Sequence, residues 1–349
     1  MLINSYLINR GAERQSKEKI ITYIFNENLN FSDSLLSLER AHSLNPKDEN
    51  IFILIGQVKI ILGDSTGAIK ILKKALKISD NKDEIYYQIG LAYQADKKFK
   101  KASKYFKKAI ECNLNHENAL YDLAYCLEIT GELENSIEYY KKFIDEDPYS
   151  EYAWFNLGNI YMKLDQFENA VEAFEFSIAI DEEYSSAYIN ISEALIKLEK
   201  FDQAKKYLER SLSLDGPSPE IYSCLGNVNF YLEDYSTSIS FYQKSIKIDQ
   251  MFKESYFGLG RSLSKLDKWF EAIHFFKKAY KIDNKNIEYV KSLAYAEFKV
   301  GNLVSSIDLY SKAVEMQPDD YKLSLDFSLI YYESGDIDKA IDIIDQAIE

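Results

Sequence analysis

Residues 151–184 read EYAWFNLGNIYMKLDQFENAVEAFEFSIAIDEEY. Trp154, Leu157, Gly158 and Tyr161 recur at the three- and four-residue spacing of one helix face, and Ala170 and Phe174 begin a second such face after a polar break. With Trp154 at position 4 of a 34-residue frame, the same pattern steps in both directions without insertion or deletion. Registers start at 15, 49, 83, 117, 151, 185, 219, 253, 287 and 321, and the last is incomplete. Position 20 is always alanine or serine: Ser34, Ala68, Ala102, Ser136, Ala170, Ala204, Ser238, Ala272, Ser306 and Ala340. Position 8 is always small, from Gly56 and Gly90 to Ala294 and Ser328, and position 7 is always large and apolar, from Ile55 to Phe327. Three columns held in phase through the chain are a structural repeat.

Each register carries two apolar stripes, positions 4, 7, 8, 11 and positions 20, 21, 24, 27, 28, so each predicts a hairpin of two antiparallel helices. Gly63, Gly131, Gly301 and Gly335 fall between the stripes and suit the end of the first helix. Position 24 offers a bulky knob (Phe106, Tyr140, Phe174, Tyr242, Phe276, Tyr310) to the small residues at 8 and 20. The predicted fold is an all-α solenoid of about ten helix-turn-helix units over residues 15–349. Residues 1–14 stand outside the frame as an N-terminal segment and a candidate cap. Some positions depart from the pattern. Lys59, Asn229 and Glu297 replace an apolar residue at position 11 and are expected to be more exposed, Phe143 at position 27 demands different packing, and Glu18 marks an atypical terminal unit.

The pattern resembles the tetratricopeptide repeat (TPR) family, whose W-x2-L-G-x2-Y…A…F signature is matched by Trp154, Leu157, Gly158, Tyr161, Ala170 and Phe174. The resemblance covers residues 15–349 and is similar to superhelical bacterial-type members. It implies a right-handed superhelix, protein–protein interaction and no catalysis.

Composition narrows the class further. The chain has 349 residues, 46% hydrophobic and 28% charged, with only 13 glycines and 5 prolines, so a large buried core is expected. A formal charge of −14 argues against a nucleic-acid partner and favours a neutral to basic one. The most apolar stretch, Ile51 to Leu62, contains Gln57 and Lys59 and is too short to span a bilayer. Cys112, Cys126 and Cys224 fit a reducing compartment rather than a disulfide framework. A cytoplasmic location and no membrane insertion are expected.

Chemistry-bearing motifs are missing from the sequence. His42, His116 and His274 fall at unrelated frame positions, no Cys/His ligand set or phosphate-binding glycine loop occurs, and no cofactor or metal is expected. Acidic pairs such as Glu182-Glu183 sit at inter-repeat turns, where they start helices. The lysines of the third repeat (Lys97, Lys98, Lys100, Lys101, Lys104, Lys107, Lys108) read as a solvated outer face without aromatic platforms.

In a stack of such hairpins the first helices line the concave side, where positions 2, 5, 9, 12 and 13, with 6 at the edge, face a partner. They carry Tyr87, Tyr121, Asp122 and Tyr125, then Tyr152, Phe155, Asn156, Asn159 and Lys163, then Asn190, Glu193 and Lys197. Tyr231, Phe257, Arg261, Tyr295 and Phe298 follow. Asparagine amides can grip an extended backbone and tyrosines add rigid contact area. Asn156 and Asn190 are similar to the asparagine ladder of O-linked N-acetylglucosamine transferases. Phe155 and Ser223 stand where a chaperone-binding carboxylate clamp has lysine, so chaperone-tail binding is not implied. The expected function is a scaffold or adaptor that holds a partner peptide in its groove. The alternatives are the recognition arm of a larger enzyme, such as a glycosyltransferase, and homotypic assembly through uncapped terminal repeats. Ile53, Ile60 and Ile61, with Leu54, form an apolar patch for which residues 2–8 are a candidate cover. Ile344, Ala347 and Ile348 suggest that the chain continues or docks on something.

Overall fold

The computed structural model describes residues 31–348. The N-terminal segment, Glu18 and the suggested cover by residues 2–8 lie outside the described residues. The helices run in order as α1 (Phe31–Leu44), α2 (Glu49–Ile61), α3 (Ser65–Ala75), α4 (Asp83–Ala95), α5 (Phe99–Cys112), α6 (Glu117–Ile129), α7 (Leu133–Glu146) and α8 (Glu151–Lys163). They continue as α9 (Phe167–Ile180), α10 (Ser185–Lys197), α11 (Phe201–Asp215), α12 (Pro219–Tyr231), α13 (Tyr235–Ile248), α14 (Lys253–Lys265) and α15 (Trp269–Ile282). The last four are α16 (Ile287–Lys299), α17 (Leu303–Met316), α18 (Tyr321–Glu333) and α19 (Ile337–Ile348). From residue 49 onward, every first helix fills frame positions 1–13 and every second helix begins at position 17. No strand occurs among the described residues.

Local chemistry starts and stops these helices. Asp64, Ser218, Asp234 and Asp320 each accept a backbone N–H three residues on, capping the helix that follows. Between hairpins, Asp147, Asp181, Asp249 and Asp283 accept the N–H two residues on, so much of the acidic composition is spent on turns. Frame position 15 is left-handed in every repeat from 49 onward. Glycine occupies it at Gly63, Gly131, Gly301 and Gly335, with φ of 81–86°. Lys97, Asp165, Glu199, Glu233 and Asp267 adopt the same conformation at φ of 54–61°. Paired hydrogen bonds hold it: in the third repeat Lys98 N reaches Tyr93 O and Lys97 N reaches Gln94 O, the same closure that Asp64 and Gly63 make in the second.

The described residues divide into two compact units, one up to residue 160 and one from residue 161. In the first, Phe52, Leu72, Ile85 and Ile89 form one core, and Tyr87, Ala102, Phe106, Leu123 and Leu127 form the next. In the second, Tyr242, Leu259, Ala272, Phe276 and Leu293 pack together, as do Val290, Tyr310, Leu323 and Phe327. The small-residue column at position 8 has the same cause in both. A Cβ on Gly90 would lie 2.4 Å from the Phe106 ring, and one on Gly260 would lie 2.6 Å from the Phe276 ring. The knob at position 24 therefore fills the space a side chain at position 8 would need.

Column 20 alternates between alanine and serine for a related reason. At three of its serines the hydroxyl donates to the backbone carbonyl at position 8 of the same hairpin: Ser136 to Ala124 (2.7 Å), Ser238 to Gly226 (2.8 Å) and Ser306 to Ala294 (2.9 Å). All three serines are fully buried, and this hydrogen bond offsets the cost of burying the hydroxyl.

The position-11 exceptions are not exposed, contrary to expectation. Glu297 is 1% exposed and pairs with Lys277 at 2.6 Å while accepting from Asn302 at 2.7 Å. Asn229 is buried and donates to Leu225 O, and Lys59 pairs with Asp64 at 3.1 Å. Each polar group finds a local partner and stays at its packed position. The third-repeat lysines also differ from the sequence reading, since rings do accompany them. Lys108 lies over Tyr86 and Tyr105, and Lys101 over Tyr93.

Candidate partner-binding surface

Successive first helices touch one another within each unit, as α2 does with α4 and α12 with α14. The first helices therefore form one layer within each unit, and the residues selected above lie on them. Which of those residues a partner could reach depends on what each touches.

In the first unit most of the polar selections bond within the fold. Tyr87 is 3% exposed, and its hydroxyl donates to the fully buried Asp122 at 2.8 Å. The expectation that these two face a partner is therefore corrected. A ring in contact with Phe106 and His116 beside a carboxylate is stabilised inside, where the carboxylate is satisfied. Asn156 donates its amide to the hydroxyls of Tyr121 (2.9 Å) and Tyr140 (3.2 Å). Tyr121 stands edge-on to both Tyr140 and Phe143 at 5.5 and 5.3 Å, which is the different packing that Phe143 imposes. Burial pushes the Tyr140 phenol well above its ordinary pKa, so it remains a neutral donor and acceptor. Tyr125 is half-buried, edge-on to Phe99, with its phenol also raised by burial. Tyr152, Phe155 and Asn159 are partly accessible on α8.

The second unit is arranged differently. Asn190 is partly accessible on α10. Glu193, one turn further, is exposed as a residue, yet one carboxyl oxygen lies against the Cys224 thiol of α12. Burial raises its carboxyl pKa, while a hydrogen bond from the Cys224 thiol and the charge of Lys197 oppose the rise. Tyr231 is 44% exposed and stacks flat on Phe201 at 5.3 Å. Arg261 places its guanidinium 4.1 Å from the Phe230 ring, 5.7 Å from Tyr231 and 5.9 Å from Phe257. Phe257 is braced by Tyr289 at 4.8 Å. The structure thus brings three selected residues, Tyr231, Phe257 and Arg261, into one cluster. Sequence reasoning missed Phe230 and Phe201. Phe230 stands at frame position 12, which alone could have flagged it.

Other chemistry-bearing groups are placed as structural ones. Burial and the charge of Asp122 push the Cys126 thiol up to about 12, and burial raises Cys224 further, so neither is a thiolate near neutral pH. His116 accepts the Ala119 N–H at the start of α6, and His42 packs edge-on to Phe52. Among the described residues no His, Cys, Asp or Glu group is clustered to hold a metal, and no helix is long and apolar enough to cross a membrane.

A stack of two-helix hairpins with small residues at the crossings and an inner face of aromatic and polar side chains defines a protein-interaction repeat. Profiles of the tetratricopeptide repeat match residues 151–184, 87–151, 292–349, 185–217 and 253–286, and a TPR repeat profile matches residues 56–97. The chain belongs to the tetratricopeptide-repeat family. No curated protein matches it in sequence. Among solved structures it is similar to yeast Tom70, at 16% identity and TM-score 0.56 over 93% of this chain and 84% of that one. A tetratricopeptide repeat protein from Parabacteroides merdae gives 16% identity and TM-score 0.56 over 71% and 98%. MamA protein gives 24% identity and TM-score 0.43 over 50% and 94%. The first two support the fold.

Proposed function

We propose that the inner faces of the first helices hold an extended segment of a partner protein, so that the chain works as a non-catalytic scaffold or adaptor in the cytoplasm. The observation that carries this reading is the row of rigid, accessible aromatic side chains on successive first helices, with Tyr231 and Tyr295 44% and 46% exposed. Large rings open to solvent at a repeating interval give a peptide contact area at low entropic cost. Asn159 and Asn190 add amides beside them. The net charge of −14 favours a partner segment that is neutral to basic along most of its length.

The test is affinity capture from native lysate with mass spectrometry, comparing wild type with an Asn190→Ala/Tyr231→Ala/Tyr295→Ala variant of matched helicity. A protein retained by wild type and lost by the variant supports an inner-face adaptor and names its client. Identical captures would remove the inner face of the second unit as the working surface.

A second reading, self-association, is favoured by the apolar face of α18 and α19. Leu325, Leu329, Tyr332, Ile337 and Ile341 are all about half exposed there and line one depression. Light scattering across a concentration series, with Leu329→Glu as control, decides it. A mass that rises with concentration for wild type alone supports this reading, and a constant monomer mass removes it.

A further inference from the structure

The sequence carries 56 acidic side chains against 42 basic ones, yet among the described residues no carboxylate pairs with Arg261 and no protein acceptor meets its guanidinium nitrogens. Its guanidinium carbon lies over the Phe230 ring at 4.1 Å, with Tyr231 and Phe257 around it. Stacking uses the face of a guanidinium and leaves its edge, with five N–H donors, directed away from the ring. The group sits in a depression of roughly 370 Å³ lined by Phe230, Tyr231, Glu233, Tyr235, Ser264 and Lys265.

The surroundings fix the cation in place. Phe230 is itself buried and held edge-on by Tyr231 and Tyr235 at 5.5 and 5.6 Å, and Tyr231 is stacked on Phe201. Glu233, the acid that lines the same depression, has a left-handed backbone just past the end of α12 and makes no ion pair with Arg261. A half-buried guanidinium, fixed by rings and lacking a protein acceptor, is preorganised to donate to an incoming anionic group.

We propose that Arg261 receives the side-chain carboxylate of an aspartate or glutamate within the partner segment, held in two-pronged fashion while Tyr231 and Phe257 pack its neighbours. The inference rests on the inner-face reading above. It assigns one acidic anchor to a segment that is otherwise neutral to basic. A side chain is favoured over a chain end because accessible inner-face residues continue on both sides of the depression, from Asn190 on α10 to Tyr295 and Phe298 on α16, so a bound segment can run through.

The test uses the whole chain against random twelve-residue peptides displayed in two formats, internal and with a free C-terminus. Selected peptides are then made as fluorescent probes, and their Glu or Asp is replaced by Gln or Asn. With wild type, internal peptides carrying one acidic residue at a constant place are expected, and the amide replacement weakens binding about tenfold or more. Arg261→Gln, matched for helicity and melting temperature, should bind the acidic and amide peptides equally, at the wild type's affinity for the amide peptide. Arg261→Lys should retain part of the preference. Equal affinity of wild type for both peptides overturns the proposal, as does an equal loss of both in Arg261→Gln. A preference confined to free C-termini overturns the side-chain source. Selection of no peptide at all overturns the inner-face reading itself, an outcome distinct from selection without an acidic preference.

Discussion

The first and second units use the inner-face positions of one shared frame for opposite ends. Around α6–α8 of the first unit, position 5 of one repeat (Tyr121) meets position 6 of the next (Asn156), and the amide closes onto two phenols. Around α12–α14 of the second, positions 12 and 13 of one repeat (Phe230, Tyr231) meet position 9 of the next (Arg261), and the cation is left with rings but no acceptor. In the first cluster the polar group has become part of the fold. In the second it is left without a protein acceptor. Identical helix geometry therefore does not decide whether an inner-face side chain is structural or functional. The chemistry of the residue one repeat away decides it.

That comparison can be broken or sharpened by substitution. The largest effects should appear where the units agree. Gly90→Leu in the first unit and Gly260→Leu in the second drive a side chain into Phe106 and Phe276, and each is expected to cost about 3 kcal/mol by overpacking. Urea denaturation measures both, and very unequal costs would show that the shared frame does not give the units equivalent cores.

The next effect should separate them. Asn156→Ala removes its hydrogen bonds to the Tyr121 and Tyr140 hydroxyls and should cost about 1–3 kcal/mol, whereas Arg261→Gln should change stability by less than about 1 kcal/mol. The reverse order in thermal melting would mean that Asn156 is the partner-facing residue and Arg261 the structural one.

Smaller changes test the shared left-handed position. Gly131→Ala should destabilise by about 1 kcal/mol, and Asp267→Gly should be neutral to stabilising by up to about 1 kcal/mol, because only the non-glycine residue is strained at positive φ. Differential scanning calorimetry resolves the two signs.

The smallest effect is electrostatic. The Glu193 carboxyl is raised in the folded protein, so its contribution favours folding at low pH and declines as pH climbs from its unfolded value of about 4.3 through the folded one. Glu193→Gln should therefore be more stable than wild type at pH 7, with the gain vanishing below about pH 4. A gain independent of pH would assign the effect to packing with Cys224 instead.

Much of this was legible in the residues. The hairpins, the columns at 7, 8 and 20, and the knob at 24 follow from helical spacing and side-chain volume, which act within a single repeat. The left-handed turn was visible at Gly63, Gly131, Gly301 and Gly335 but not at Lys97 or Asp165, where the paired hydrogen bonds of the helix end impose it on ordinary residues. Glu297 shows the opposite failure. A charge at a core position reads as exposure, while Lys277 and Asn302 allow it to remain buried. Tyr87 failed in the same way, because its acceptor Asp122 was itself read as a surface residue.

Sequence by itself determined the period, the helix pairs and the packing columns, since these depend on residues within one turn or one hairpin of each other. Tertiary structure decided which inner-face groups were already satisfied. Those partners lie 35 residues apart at Tyr87–Asp122 and Tyr121–Asn156, and 31 apart at Glu193–Cys224. Arg261 meets Phe230 across the same boundary between repeats. A hydrogen bond or a stacked ring needs distance and direction as well as residue type, and across successive hairpins only the packed helices supply them.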